Sequence, residues 1–270
     1  MTTLMESKTT APQHALIKTV LVAQTESLGR VETPIVEDLL RKSKSRTVLD
    51  IGCGEGAFLL QLARGIKGAR FLGIDHNELG IADAQRRLRR RSQPNVKFKT
   101  AFFDEGFDRD RYDAILTRYT LQHCSNPRDF LCAVFERLKK KGTFIALESL
   151  DAYTDCHEHD PVWERYRASL GAVHKKIGSD ANIGRSLGSL FRAAGFRDIQ
   201  VRIVLCSPST VGWARFRAVV LATAELAFGL FPDLIDRTLL EDLKAWLGDR
   251  ARLEEKDPYL CSAIANGTRP

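Results

Sequence analysis

Residues 47–58 read Thr47-Val48-Leu49-Asp50-Ile51-Gly52-Cys53-Gly54-Glu55-Gly56-Ala57-Phe58, and this stretch decides the fold. Val48 to Ile51 reads as a buried parallel strand. Gly52, Gly54 and Gly56 then turn the chain, and Ala57 to Arg64 reads as the start of a helix. A strand that ends in glycines and opens a helix lets bare backbone approach a bound ligand, as nucleotide sites require. The spacing is not the dinucleotide G-x-G-x-x-G, because the third glycine comes one place early and Ala57 takes its slot. Asp50 is also foreign to a pyrophosphate loop, where its carboxylate would repel phosphate. It suits a ligand carrying an ammonium or hydroxyl groups.

Outward from this turn, strands and helices alternate. A strand at Arg70 to Ile74 ends in Asp75, 23 residues beyond Gly52, where a nucleotide-binding sheet places the acid that grips ribose hydroxyls. Leu79 to Arg91 predicts a helix with Ile81, Ala84 and Leu88 on its inner face. Val96 to Phe102 reads as a third strand with Asp104 just past it, and Tyr112 to Thr117 as a fourth. Asn126-Pro127 opens a helix over Arg128 to Leu138, Gly142 ends it, and Thr143 to Leu147 forms a fifth strand.

Upstream, residues 1–12 are polar and read as unstructured. The apolar spacing over His14 to Lys42 predicts two helices, with Pro34 in the first turn of the second. Downstream, Pro161 to Lys176 and Ile183 to Ala194 read as helices and Ile199 to Cys206 as a sixth strand. Ser207 to Leu253 reads as mostly helical, in segments near Val211 to Phe231 and Leu234 to Trp246, and Tyr259 to Ala265 as a last strand. The pattern predicts an α/β fold: a Rossmann-like, doubly wound, seven-stranded, mostly parallel sheet with N-terminal helices and a helical lid insertion before the last strand. The expected organisation is an N-terminal helical cap over 1–45, a ligand-binding core over 46–206 and 256–268, and a lid over 207–255.

Composition agrees with one large α/β domain and a smaller addition. The 270 residues are 44% apolar and 28% charged, an ordinary globular balance. The net charge of +7 is concentrated in Arg86, Arg87, Arg89, Arg90 and Arg91 and in Lys139 to Lys141. Six cysteines without a C-x-x-C pair argue for a reduced, cytoplasmic setting. The N-terminus has no basic-then-apolar leader pattern. The most apolar stretch, Ala218 to Phe231, is short for a membrane span and holds Glu225, so no span is expected.

Four segments in order resemble the class I S-adenosylmethionine (SAM)-dependent methyltransferases, of the small-molecule type similar to the ubiquinone/menaquinone-biosynthesis enzymes. Val48-Leu-Asp-Ile-Gly-Cys-Gly-Glu-Gly56 resembles motif I, Gly73-Ile-Asp-His-Asn77 the acidic ribose motif, and Phe103-Asp104 the adenine-pocket motif. Tyr112 to His123 is similar to the segment that marks that subtype, and Asp180 to Arg185 with Leu190 to Phe196 resembles its later parts. Leu138-Lys-Lys-Lys-Gly142 departs from the usual Pro-Gly-Gly turn but keeps a glycine.

The resemblance implies SAM as cofactor and S-adenosylhomocysteine as product. It implies that Gly52, Cys53 and Gly54 lie against the amino acid and ribose, and that Asp50 orders the loop or meets the ammonium. Asp75 would accept both ribose hydroxyls, and His76 or Asn77 would flank the adenine. Asp104 would accept from the exocyclic amine while the Phe103 backbone contacts the ring, and Arg118 would reach the methionine carboxylate. The expected reaction moves a methyl group to a small, apolar or aromatic metabolite, with His123, Asp151, His157 and His159 as candidate bases.

Plainer readings stand beside these. Gly56 could serve only helix packing, Arg118 only a surface ion pair, and His123 only structural hydrogen bonding. The apolar helix carrying Val219, Leu221, Leu226, Phe228 and Phe231 is either core or the roof of a greasy pocket. Cys156-His157-Glu158-His159-Asp160 invites a metal, but no second ligand pair stands at finger-like spacing, so none is expected. The arginine run invites an RNA methyltransferase as the alternative. Without interleaved aromatics it reads better as a solvated helix face, which argues against a nucleic-acid partner. Lys139 to Lys141 fit a helix C-terminus. A methyltransferase fold that binds SAM in a non-methylating role is a further alternative, and a homodimer stays open.

Overall fold

The computed structural model describes residues 10–104, 107 and 110–270. The expectation for residues 1–9 lies outside them. Among the described residues, seven strands form one sheet: β1 (Thr47–Ile51), β2 (Arg70–Asp75), β3 (Val96–Thr100), β4 (Tyr112–Arg118), β5 (Leu138–Ser149), β6 (Arg197–Cys206) and β7 (Leu260–Thr268). Their order is β3-β2-β1-β4-β5-β7-β6. β1 pairs in parallel with β2 and β4, β2 with β3, and β4 with β5. The β5–β7 bonds run the other way. Lys141 N–H donates to Arg269 O and Leu150 N–H to Cys261 O, so partners fall along β7 as β5 ascends. The expected α/β class and seven-stranded, mostly parallel sheet are thus found.

The helices are α1 (Ala11–Glu26), α2 (Gly29–Lys42), α3 (Ala57–Gly65), α4 (Glu78–Arg91), α5 (Pro127–Arg137), α6 (Pro161–Ile177), α7 (Leu187–Ala193), α8 (Pro208–Val211), α9 (Trp213–Leu230), α10 (Arg237–Gly248) and α11 (Arg250–Lys256). Their starts follow local chemistry. Asn77, Asp160 and Asp236 cap α4, α6 and α10 by accepting from backbone N–H groups one turn ahead. Among the described residues, no helix is long and apolar enough to cross a membrane.

By its contacts the chain groups into two compact units. The sheet unit comprises Glu32–Ser149, Ile183–Ile203 and Ala263–Pro270, and the helical unit comprises, among the described residues, 10–31, Leu150–Asn182 and Val204–Ser262. The expected core ran unbroken over 46–206, whereas Leu150–Asn182 joins the helices. The reason is aromatic packing: Trp163 of α6 stacks on Trp246 of α10 at 5.3 Å and meets Phe216 of α9 at 6.1 Å.

Several expectations need correction. Thr10 and Gln13 form a reciprocal capping box, so α1 begins at Ala11, inside the stretch read as unstructured. α2 begins at Gly29, which puts Pro34 inside the helix and past its first turn. The third strand stops at Thr100, not Phe102. Ile183 to Ser186 is a 3₁₀ turn, and only Leu187–Ala193 is α-helix. α5 stops at Arg137, and Lys139 to Lys141 lie in β5 and not at a helix end. Asp113 explains the early strand start. It accepts from Lys139 Nζ at 3.0 Å and from Thr47 N–H at 2.8 Å, and the β4–β5 register shifts between Tyr112 and Ala114.

The β1–α3 turn sets the geometry of the sheet unit. Gly56 has φ +75°, and a Cβ there would stand 2.6 Å from Phe98 Cζ and 2.8 Å from Ala84 Cβ. Packing alone therefore demands glycine. Gly56→Ala should destabilise the sheet unit by about 1–3 kcal/mol, from backbone strain and overpacking together. A urea-denaturation midpoint equal to that of the unsubstituted protein would refute this account.

Candidate functional site

The site is built where the strands of the sheet unit end. Gly52 and Cys53 both donate their N–H to Ile74 O, at 2.9 and 3.0 Å, which folds the glycine turn over the end of β2. Asp75 then closes it: one carboxylate oxygen accepts from Gly54 N–H at 2.9 Å, the other from Asn77 N–H at 2.8 Å. A carboxylate has about four lone-pair sites, so each oxygen keeps room for one more donor. Gly52 has φ +77°, and a Cβ there would sit 2.5 Å from Thr120 Oγ1, so the loop presents only backbone.

Asp50 is buried beneath this loop, and its Oδ1 has no hydrogen-bond partner. Burial raises its carboxyl to about 8, against the lowering pull of Arg118. An unpartnered buried carboxylate oxygen is costly unless a donor arrives from outside the chain. The Cys53 thiol is also pushed up, first by burial and then by Asp50 and Asp75, so it is an inert wall group and not a nucleophile.

Arg118, expected at the methionine carboxylate, is held by groups of the chain itself. Its side chain is 8% exposed, its Nε donates to Glu32 Oε2 at 2.8 Å, and its guanidinium lies over Phe58 at 4.5 Å. It is an ion-pair partner, as the plain reading had it, but a buried one. Tyr119 completes the cluster, with φ +53° and its hydroxyl donating to Glu32 Oε1 at 2.5 Å. A bulky residue holds such a backbone angle only when its surroundings over-determine it, and Tyr119 N–H to Leu147 O at 2.7 Å adds the second anchor.

The adenine-side candidates divide. Asn77 uses its Oδ1 to cap α4 through Leu79 and Gly80 N–H, so the flanking surface falls to His76. His76 stacks on Phe102 at 5.3 Å and 24°, and Phe102 is 62% exposed. Sequence reading missed Phe102; an exposed aromatic next to the expected Phe103 was the available signal. Phe103 turns inward against Phe107 and Phe130, while Asp104 is exposed.

Sequence reading also missed Glu32 and Glu148. Glu148, fully buried at the end of β5, accepts from Thr120, Leu121 and Gln122 N–H at 3.1, 2.9 and 3.3 Å. It holds the 3₁₀ turn Leu121–His123 in place. His123 sits on that turn with Nε2 3.1 Å from Gln122 Nε2, an arrangement in which the imidazole nitrogen accepts. Neither acid lies in a recognisable motif.

The other three base candidates lie in the helical unit. Asp151 lines a cavity described below, whereas His157 and His159 are exposed and His159 pairs with Glu164 at 2.5 Å. The arginine run is partly neutralised, since Arg86 pairs with Asp83 and Arg87 with the buried Glu55. Arg87 is therefore not part of a solvated face. Among the described residues, no three His, Cys, Asp or Glu side chains gather as metal ligands.

Comparison with known proteins follows this geometry. Residues 42–181 match the family model described as a methyltransferase domain. The chain belongs to that family. It is 27% identical over 118 residues to (S)-coclaurine N-methyltransferase of Thalictrum flavum, covering 44% of this chain and 32% of that one. It is 33% identical over 108 residues to tRNA U34 carboxymethyltransferase of Pseudoalteromonas translucida, covering 40% and 33%. Its fold is shared with Haemonchus contortus phosphoethanolamine N-methyltransferase 2, solved with phosphomonomethylethanolamine and S-adenosylhomocysteine. The TM-score is 0.54 at 17% identity, covering 83% of this chain and 49% of that one. The chain spans 54% and 49% of the length of two further curated relatives and about a third of the two named above.

Glu148 gives a pH test. Burial raises its carboxyl from 4.5 to about 8, although three N–H donors pull it down. Between those values the folded chain holds a proton that the unfolded chain has lost, so the contribution of Glu148 to stability is full below pH 4.5 and is lost as pH rises toward 8. Glu148→Gln should flatten the decline of the urea midpoint across that window. An unchanged slope would show that Glu148 is not the titrating group.

Proposed function

We propose that this chain transfers a methyl group from S-adenosylmethionine to a small-molecule acceptor. The observation that carries the reading is the Asp75 carboxylate, which ties Gly54 and Asn77 N–H together and keeps one acceptor direction per oxygen for vicinal hydroxyls. The residues present fit the cofactor. A glycine loop that excludes side chains suits its amino acid and ribose, and the orphaned Asp50 Oδ1 suits its ammonium. His76 and Phe102 offer an aromatic surface for the adenine, and Asp104 stands nearby in sequence for the exocyclic amine.

SAM supplies a methyl group on an already activated leaving group. The chain's own contribution is then binding, alignment and exclusion of water, with proximity and orientation carrying most of the rate. In this reading Arg118 is a positioning residue: through Glu32 and Tyr119 it fixes the wall beside Asp50, and it does not grip the methionine carboxylate. The α9 residues Phe216, Val219, Val220, Ala222, Ala224 and Ala227 are buried within the helical unit, which favours core over the roof of a greasy pocket. The proposal is confined to a small-molecule acceptor.

An RNA acceptor is the second reading, favoured by the match to a tRNA-modifying enzyme and by the exposed Arg89, Arg90 and Arg91. It predicts tRNA affinity that falls steeply with salt; a flat response removes it. The primary test is calorimetry with SAM. Asp75→Ala should weaken binding by about tenfold or more, as expected for losing charge-assisted hydrogen bonds. Equal affinity would place the cofactor elsewhere.

A further inference from the structure

The helical unit holds a cavity of about 690 Å³, within the usual size of small-ligand sites. One wall is α6, and the other is formed by Asp151, Ala152 and residues 179–182. The second wall is braced by its own hydrogen bonds. Asp151 N–H donates to Ala181 O at 3.1 Å, and Ala152 N–H to Asn182 Oδ1 at 2.6 Å. At Gly171 a Cβ would meet nothing within 4 Å, so the α6 wall is open there.

Five charged side chains line this space, Glu164, Lys175 and Asp180 among them, and the other two, Asp151 and Arg167, do not engage each other. Among the described residues nothing donates a hydrogen bond to the Asp151 carboxylate, and its nearest cationic candidate is His174 Nε2 at 3.7 Å. His174 is a poor counter-charge: its Nδ1 is 2.5 Å from Ser179 Oγ, and burial lowers its pKa, which keeps the ring neutral. Burial also raises the Asp151 carboxyl to about 6, the behaviour of an acid lacking a close positive partner. Arg167 gives Nη1 to Asp155 at 2.8 Å, but its Nε is buried and has no partner. No Asp151–Arg167 pair forms within 4.0 Å, although the guanidinium charge still reaches the carboxyl.

We propose that this cavity binds a small zwitterion, with its ammonium against the Asp151 carboxylate and its carboxylate or phosphate against Arg167. An ammonium supplies the donors that Asp151 lacks, and an anion meets the positive charge of Arg167 where that side chain lines the cavity. A neutral apolar ligand would desolvate the Asp151 carboxylate without supplying it a donor. A lone cation or lone anion would satisfy one and strand the other. This site lies within the helical unit and stands independently of the methyl-transfer reading.

The experiment is titration calorimetry of the full chain with a panel of probes. Glycine, β-alanine and γ-aminobutyrate test amino-carboxylates of increasing span, phosphoethanolamine tests an amino-phosphate, and ethylamine and acetate carry one charge each. At least one zwitterion should bind about tenfold or more tightly than either single-charge probe. Asp151→Asn and Arg167→Met should each weaken that binding by about tenfold while leaving SAM binding unchanged, which also certifies their folding. Asp155→Asn, which frees Arg167 without removing it, should retain binding. Three results would overturn the proposal: no zwitterion binding at millimolar concentration, ethylamine or acetate matching the best zwitterion, or indifference to both Asp151→Asn and Arg167→Met in folded protein. The tighter of β-alanine and phosphoethanolamine identifies which anion the Arg167 side prefers.

Discussion

The Asp75 carboxylate is the contact on which the rest of the site depends. It sits at the end of β2, accepts from Gly54 on one side and Asn77 on the other, and so locks the glycine turn to the start of α4. It adds to the Gly52 and Cys53 bonds to Ile74 O a side-chain anchor of the turn, which matters because glycine loses more freedom on ordering than any other residue. The same side chain thus has a structural duty and an open acceptor face. That double role explains how a loop with no side chains of its own can present a defined surface.

Below the loop, the sheet unit buries more ionisable groups than its packing requires. Glu32, Arg118 and Tyr119 form a closed cluster, Glu148 gathers three backbone N–H groups, and Asp50 keeps one oxygen unpaired. Burying an ion pair rarely adds net stability over an apolar substitute. The strained backbone of Tyr119 points the same way, because such angles persist where position matters more than stability. The cluster fixes the wall beside Asp50, and Glu148 fixes the turn that carries His123.

The helical unit follows a different logic. Its centre is aromatic, with Trp163 stacked on Trp246 and Tyr166 donating to Val220 O at 3.4 Å. A second cluster of Val173, Ala227, Ile235 and Leu239 is packed by Phe228 and Phe231. The apolar character of residues 218–231 is used there, inside the unit. Charge appears instead along the cavity beside α6, where Asp151 and Arg167 stay apart.

The sequence by itself determined the sheet, the glycine turn and the acid at the end of β2. Each rests on local rules: strand burial, positive φ at glycine and the strand–turn–helix rhythm, all readable within a dozen residues. It also placed Asp50 and His76 beside that turn. Tertiary structure decided what those residues touch. Glu32 comes from a helix 86 residues before Arg118, and Glu148 reaches back 27 residues to Leu121, so neither pairing has a spacing signature. The early start of β5 needed Asp113 to bind Lys139 across the sheet. The membership of Leu150–Asn182 in the helical unit needed Trp163 to find Trp246. Long-range partners choose among conformations that local propensity leaves nearly equal, and that choice is made only when the chain is packed.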